Sequence, residues 1–193
     1  MTPPECGAIC RLRNATLWRG QRPRPTVLCA RASPPARCGL ARAVNFFLVT
    51  TCTNKRRQIL ASDAIAEILI KEWREAPARH HWMIGRYVIM PNHVHFFCAP
   101  QRDSKALSQF VDAWKSWTSR QVGALPHAKS AGHPAREPVC QSEFFDHLIR
   151  SNESYDRKWD YVRDNPVRAG FVSTADAWKY TGEIERLSLW PLL

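Results

Sequence analysis

The fold of this chain can be predicted outward from one stretch, WMIGRYVIMPNHVHFFC, which spans residues 82–98. Apolar, aromatic and β-branched residues dominate both halves of the stretch, 82–90 and 93–98, as is typical of strands buried in a sheet. Pro91 and Asn92 between them favour a turn, because proline fixes its φ angle and asparagine bonds readily to its own backbone. The stretch is therefore predicted to be a β-hairpin.

The residues on either side of the hairpin predict the other elements of an α+β fold. These are a strand at 44–51, a helix capped by Ser62 or Asp63 with Pro77 beyond its end, a helix at 104–122, a strand at 144–149, and a helix from Ser151 or Asn152 that ends before Pro166. Strand, helix, two strands, helix, strand is the ferredoxin-like order. We expect an antiparallel sheet with helices on one face.

Composition limits the class of protein. The chain has 193 residues, a formal net charge of +11 and 45% hydrophobic residues, which is ordinary for a globular protein and excludes wholesale disorder. No segment approaches the roughly 18 apolar residues of a membrane span, and Met1 is not followed by an apolar secretory segment. We expect a cytoplasmic protein that does not bind membranes, with free thiols among its seven cysteines.

Positive charge is concentrated in residues 1–42, which hold eight arginines, no lysine and a single acid, Glu5. Six of the fourteen prolines also lie there, without an apolar repeat. We predict a flexible basic arm at 1–42, a globular domain at 43–172 and a short C-terminal extension at 173–193. The arm either binds a polyanion such as nucleic acid, or is a solvated tail or the product of a misassigned start codon.

Deletion of residues 1–42 gives a first testable prediction. We expect the truncated protein to bind DNA of any sequence more weakly and with a flatter salt dependence, because each lost phosphate contact removes about 0.7 to 0.9 from the slope of log K against log salt. Its preference for one hairpin over another should not change. Titrating both proteins at several salt concentrations checks this, and equal salt slopes would contradict it.

His93 and His95 are the candidate metal ligands of the hairpin. Alternate side chains of a strand share a face, so the two imidazoles project the same way and can meet one ion. Neutral imidazole suits several divalent metals, and positions left open on the metal would accept water and a substrate phosphate. The alternative is a pair of hydrogen-bonded histidines on a partly polar strand face.

Tyr161 and Asn165 are a second candidate pair, because residues four apart share one face of a helix. Asn165 offers an amide oxygen as a ligand. A phenol is a poor nucleophile at its free pKa of about 10, but a nearby divalent cation helps it attack a phosphodiester. The alternatives are a tyrosine at the edge of the core and an asparagine that only caps the helix.

Three segments together resemble one known family. VIMPNHVH at 88–95, FFDHLIR at 144–150 and WDYVRDNPVRAG at 159–170 resemble the REP-associated tyrosine transposases, which belong to the single-tyrosine HUH class. The resemblance covers roughly 44–172 and implies an HUH endonuclease fold. It also implies that His93 and His95 hold Mg²⁺ or Mn²⁺, that Tyr161 is the nucleophile, and that Asn165 is a further metal ligand.

The resemblance further implies a reaction and a partner. In this family the tyrosine attacks single-stranded DNA, forms a 5′-phosphotyrosine and releases a 3′-hydroxyl, and the substrates are hairpins of repetitive extragenic palindromes. Members act as monomers or homodimers, and a DNA-bound member would be associated with the nucleoid. The alternatives are a domesticated hairpin-binding protein with little or no turnover, and a metal-dependent phosphodiesterase that uses water.

Basic side chains near these motifs are candidates for DNA contacts. We favour Lys55, Arg56 and Arg57, which follow the first strand, and Arg150, which follows the fourth. Trp117 or Phe145 could present an aromatic face on which an unpaired base stacks. The alternative for each basic residue is a solvated surface position.

Overall fold

The computed structural model describes residues 45–125, 138–150 and 152–187, and all of them belong to one compact unit, 41–193. The predicted arm at 1–42 lies outside the described residues, as do residues 126–137.

A single antiparallel sheet organises the described part of the chain. Its strands are β1 (Phe46–Cys52), β2 (Trp82–Met90), β3 (His93–Pro100), β4 (Phe145–Ile149) and β5 (Thr181–Glu183). They lie in the order β4-β1-β3-β2-β5, and every neighbouring pair is antiparallel. The predicted hairpin and α+β class are confirmed. Strand β5 is an addition, since three residues, Thr-Gly-Glu, carry no apolar strand pattern.

The helices are α1 (Asp63–His80), α2 (Leu107–Ala124), α3 (Asn152–Arg163) and the short α4 (Asn165–Arg168). The expectation that Pro77 lies beyond the end of α1 is wrong, because the helix continues to His80. It ends at His81, whose backbone is left-handed (φ 58°) and whose N–H donates to the carbonyl of Pro77. None of the described helices is long and apolar enough to cross a membrane.

Helices α1 and α2 cover one face of the sheet, as predicted. Trp73 of α1 and Trp114 of α2 stack with ring centroids 5.9 Å apart, and both pack on Phe96 of β3. Cys98 is buried in the same cluster. This aromatic layer makes one side of β3 inaccessible to a ligand.

Helix α3 covers the other face, so helices lie on both faces of the sheet rather than on one. Tyr155 packs on Phe97 with ring centroids 4.5 Å apart, and Val162 contacts Val88 and Met90 of β2. These strand residues are apolar on the face opposite to α1 and α2, and without α3 they would be exposed to water. The result is that α3 shares a face with His93 and His95.

Candidate functional site

The hairpin brings the two predicted imidazoles together. His93 and His95 lie on the α3 face of β3, with ring centroids 4.8 Å apart and ring planes nearly perpendicular at 86°. Both residues are buried. Their cross-strand partners on β1 are Cys52 and Thr50, so the pair lies in the middle of the sheet.

Each imidazole is oriented by a hydrogen bond at Nδ1. His93 Nδ1 donates to Asn92 Oδ1 at 2.7 Å, and His95 Nδ1 lies 2.7 Å from Thr50 Oγ1. The main chain of Asn92 is fixed in turn, since its carbonyl accepts from Thr53 N at 2.9 Å. The Nε2 atoms of both histidines are buried without a hydrogen-bond partner. Buried polar atoms are rarely left unpaired, so these two nitrogens are available to a ligand.

Electrostatics keeps both histidines neutral at pH 7. Burial lowers the pKa of His93 to about 4, and the nearby charge of Arg56 contributes to the shift. Burial also lowers the pKa of His95 well below its ordinary value, with further contributions from His93 and Arg168. A neutral imidazole whose Nδ1 is hydrogen-bonded and whose Nε2 is unpaired is the form that binds a divalent metal.

Asn165 is the side chain that was predicted to supply an oxygen ligand. Within the described residues, no three or more His, Cys, Asp or Glu side chains form a group that could hold a metal ion. Asn165 is only 1% exposed at the start of α4; its Nδ2 has no partner, and its Oδ1 accepts a hydrogen bond from Arg168. A carbonyl oxygen has a second lone pair, so Oδ1 remains able to bind a cation.

Tyr161 lies near the end of α3 and is accessible. It is 47% exposed, whereas Tyr155 on the same helix is 7% exposed. The guanidinium of Arg168 lies 4.1 Å from the centroid of the Tyr161 ring, and its Nη2 donates to the Tyr161 carbonyl at 2.6 Å. Arg168 therefore contacts both Tyr161 and Asn165, and its charge also acts on His95.

Of the predicted DNA-binding residues, Arg56 acts on the site through its charge, which lowers the pKa of His93. It follows β1 in a short 3-10 turn in which Lys55 and Arg56 both have left-handed backbones, with φ of 55° and 57°. Arg56 Nη1 donates to Cys52 Sγ at 2.9 Å, and Cys52 is the cross-strand partner of His93. This turn places a cation at the edge of the site.

Arg57 and Arg150 are arranged differently from Arg56. Arg57 donates to the carbonyls of Pro138, at 2.9 Å, and Asn54, at 3.2 Å, so it ties neighbouring backbone segments together. Arg150 is exposed immediately after β4.

Three contacts of the site have no counterpart in the sequence analysis. Asn92 and Thr50 hydrogen-bond to the histidines, and Arg168 links Tyr161 to Asn165. The position of Asn92 next to His93 and the helical spacing of Arg168 from Asn165 were usable signals. No sequence signal points to Thr50, because its contact depends on the register between β1 and β3.

Comparisons with known proteins agree with the motif resemblance. Residues 45–134 match the family described as "Transposase IS200 like". A REP-associated tyrosine transposase of Escherichia coli (strain K12) is 25% identical over 139 residues, which are 70% of this chain and 74% of that protein. A solved REP-associated tyrosine transposase bound to a REP hairpin has a TM-score of 0.54 at 18% identity, covering 83% of this chain and 99% of its own. The predicted resemblance is confirmed, and the solved structure shows the shared fold.

Proposed function

We propose that this chain, whose residues 45–134 match the IS200-like transposase family, is a metal-dependent endonuclease and strand transferase of single-stranded hairpin DNA. One observation carries the proposal: two neutral imidazoles with unpaired Nε2 atoms lie under the helix that presents an exposed tyrosine. The relative solved with a REP hairpin supports repetitive extragenic palindromes as the substrate class.

The donor set fits a hard or borderline divalent cation. His93 Nε2, His95 Nε2 and the Asn165 amide oxygen would hold Mg²⁺ or Mn²⁺ and leave positions open for water and a phosphate oxygen. Bound there, the cation would polarise the phosphodiester as a Lewis acid. Arg56 and Arg168 border the same place and would offset the charge of the DNA backbone.

Tyr161 would perform the covalent step. Its hydroxyl oxygen attacks the phosphorus, the bond from phosphorus to the 3′ oxygen breaks, and the proton lost by the phenol is matched by the one gained by the 3′-hydroxyl. The fragment downstream of the cut remains bonded to Tyr161 through its 5′-phosphate, and the upstream fragment leaves with the 3′-hydroxyl. Attack of a 3′-hydroxyl on this phosphotyrosine reverses the step and joins strands, without a further energy source.

A covalent adduct is the test of this function. Wild-type protein, a labelled single-stranded hairpin and Mn²⁺ should give a protein–DNA species that survives denaturation. Cleavage without such a species would favour the phosphodiesterase that uses water. Tight hairpin binding with neither cleavage nor adduct would favour the domesticated binding protein.

Thr50→Val should weaken metal binding although Thr50 is not a ligand. The change removes the oxygen next to His95 Nδ1 and keeps the side-chain shape, so the imidazole loses the contact that orients it. Loss of such an outer partner typically lowers metal affinity about 10- to 100-fold. Titration with Mn²⁺, followed by the electron spin resonance of the free ion, measures the effect.

The adjacent residue provides a matched control for Thr50. Thr51 lies on the same strand with its side chain on the other face, and its buried Oγ1 has no hydrogen-bond partner. Thr51→Val should therefore leave Mn²⁺ affinity unchanged. Equal losses in the two variants would show that the effect comes from packing of β1 rather than from the orientation of His95.

A further inference from the structure

Phe145 is a large hydrophobic side chain with an unusual position. It is 79% exposed at the start of β4, which is an edge strand of the sheet. Single exposed hydrophobic residues are common on protein surfaces, so exposure alone assigns no role to it. Its place relative to the histidines is the informative feature.

The strand register puts Phe145 in line with His95. Phe145 pairs with Thr50 across β4 and β1, and Thr50 pairs with His95 across β1 and β3. Directly opposed residues project from the same face of a sheet, so the three side chains form one row. Adjacent strands are about 4.8 Å apart, which places the backbone of Phe145 about 10 Å from that of His95. A base stacked on Phe145 would therefore be close along the strand to a phosphate bound at His95.

The charge on this side of β4 suits a polyanion. His147 shares the face of Phe145; partial burial lowers its pKa, the charge of Lys158 lowers it further, that of Asp146 raises it, and that of Arg150 lowers it. The acid of β4, Asp146, is on the opposite face, since its partner Val49 belongs to the core under α1 and α2.

We propose that Phe145 is a stacking platform for an unpaired base of the DNA strand whose phosphate lies at the histidine pair. The inference rests on the proposed function, because that function supplies the single-stranded ligand. A flat aromatic face beside cationic groups is the arrangement by which proteins hold unpaired bases, and it tolerates any base identity. Phe145 thereby fixes which phosphate of the strand reaches Tyr161.

The test measures binding without the covalent step. In the Tyr161→Phe background, Phe145→Ala should weaken binding of a hairpin with an unpaired flank about 5- to 150-fold, by fluorescence anisotropy. Phe145→Tyr should bind normally because it keeps the ring, and Phe145→Leu should bind as weakly as Phe145→Ala. Leu148→Ala, on the other face of β4, should have no effect.

The DNA offers the complementary change. Probes with an abasic site at one unpaired position after another should show one position where binding falls as far as in Phe145→Ala, and where Phe145→Ala adds no further loss. Unchanged binding by Phe145→Ala, or additive losses at every position, would overturn the proposal. So would a change of oligomeric state in Phe145→Ala by light scattering, since it would assign this edge to a second copy of the chain.

The two proposals fail separately. One outcome is that the wild-type protein forms no adduct while Phe145→Ala and one abasic position cause the same, non-additive loss of binding. That outcome would support the stacking platform and contradict the strand-transfer function. If the adduct forms but Phe145→Ala does not weaken hairpin binding, the strand-transfer function is supported and Phe145 has no part in it.

Discussion

Tyr161→Phe abolishes the protein–DNA adduct that we expect from the wild-type chain with hairpin DNA and Mn²⁺. The substitution removes a single oxygen, the proposed nucleophile, and keeps the ring against the Arg168 guanidinium. Removal of a nucleophile commonly costs at least about 10⁴-fold in rate, so no adduct should be visible at times when the wild-type reaction is complete. A 5′-labelled and a 3′-labelled strand on a denaturing gel show which side of the cut is retained, and the proposal requires the 5′-phosphate side.

The same helix provides a matched control for this substitution. Tyr155 is buried against Phe97 and Phe46, and burial raises the pKa of its hydroxyl to about 12. Tyr155→Phe keeps these ring contacts and removes the same atom at a site that DNA cannot reach, so the adduct should form normally. If Tyr161→Phe gives as much adduct as the wild type, or if both variants lose it, the assignment of the nucleophile is wrong.

The sequence predicts this fold best where the strand pattern is clear. The hairpin at 82–98 is a nearly continuous apolar run divided by Pro-Asn, and its strands have the predicted bounds at residues 82, 90 and 93. The side of the sheet covered by α3 was not predictable in this way. Strands β2 and β3 are apolar on both faces, so the pattern does not show where each helix packs. Strand β5 is too short to have a pattern of its own.

In the candidate site too, the local strand pattern was predictable and tertiary contacts were not. That His93 and His95 share a face follows from strand alternation. The expectation that Tyr161 and Asn165 share one face of a helix is wrong, because α3 ends at Arg163 and Asn165 begins α4, where it is buried while Tyr161 is exposed. That α3 packs on the histidine face is a tertiary fact, which the sequence pattern does not show. The contact between Thr50 and His95 depends on the register between β1 and β3, and the two residues are 45 positions apart in the sequence. The pattern of a single sequence does not show which residues of two such distant strands pair.

Substitution of either histidine should abolish both Mn²⁺ binding and DNA cutting. His93→Ala and His95→Ala each remove one of the two unpaired Nε2 atoms, and the remaining donors leave a divalent cation with too few ligands. The loss of Mn²⁺ affinity should exceed the effect of Thr50→Val, so more than about 100-fold. Metal titration by electron spin resonance gives a readout that does not depend on catalysis, and cleavage of labelled hairpin DNA gives the second.

His80→Ala is the control for these two variants, because His80 lies at the end of α1 against Phe110, on the opposite face of the sheet. It should bind Mn²⁺ and cut DNA as the wild type does. Cleavage by the wild type in excess chelator, or equal metal affinity in His95→Ala and His80→Ala, would contradict a metal site at the histidine pair.

Comparison with Tyr161→Phe then separates the two enzymatic functions. If His95→Ala is inactive while Tyr161→Phe still cuts, water is the nucleophile and the histidines serve a phosphodiesterase; if both are inactive, the metal site and the tyrosine act on the same phosphate.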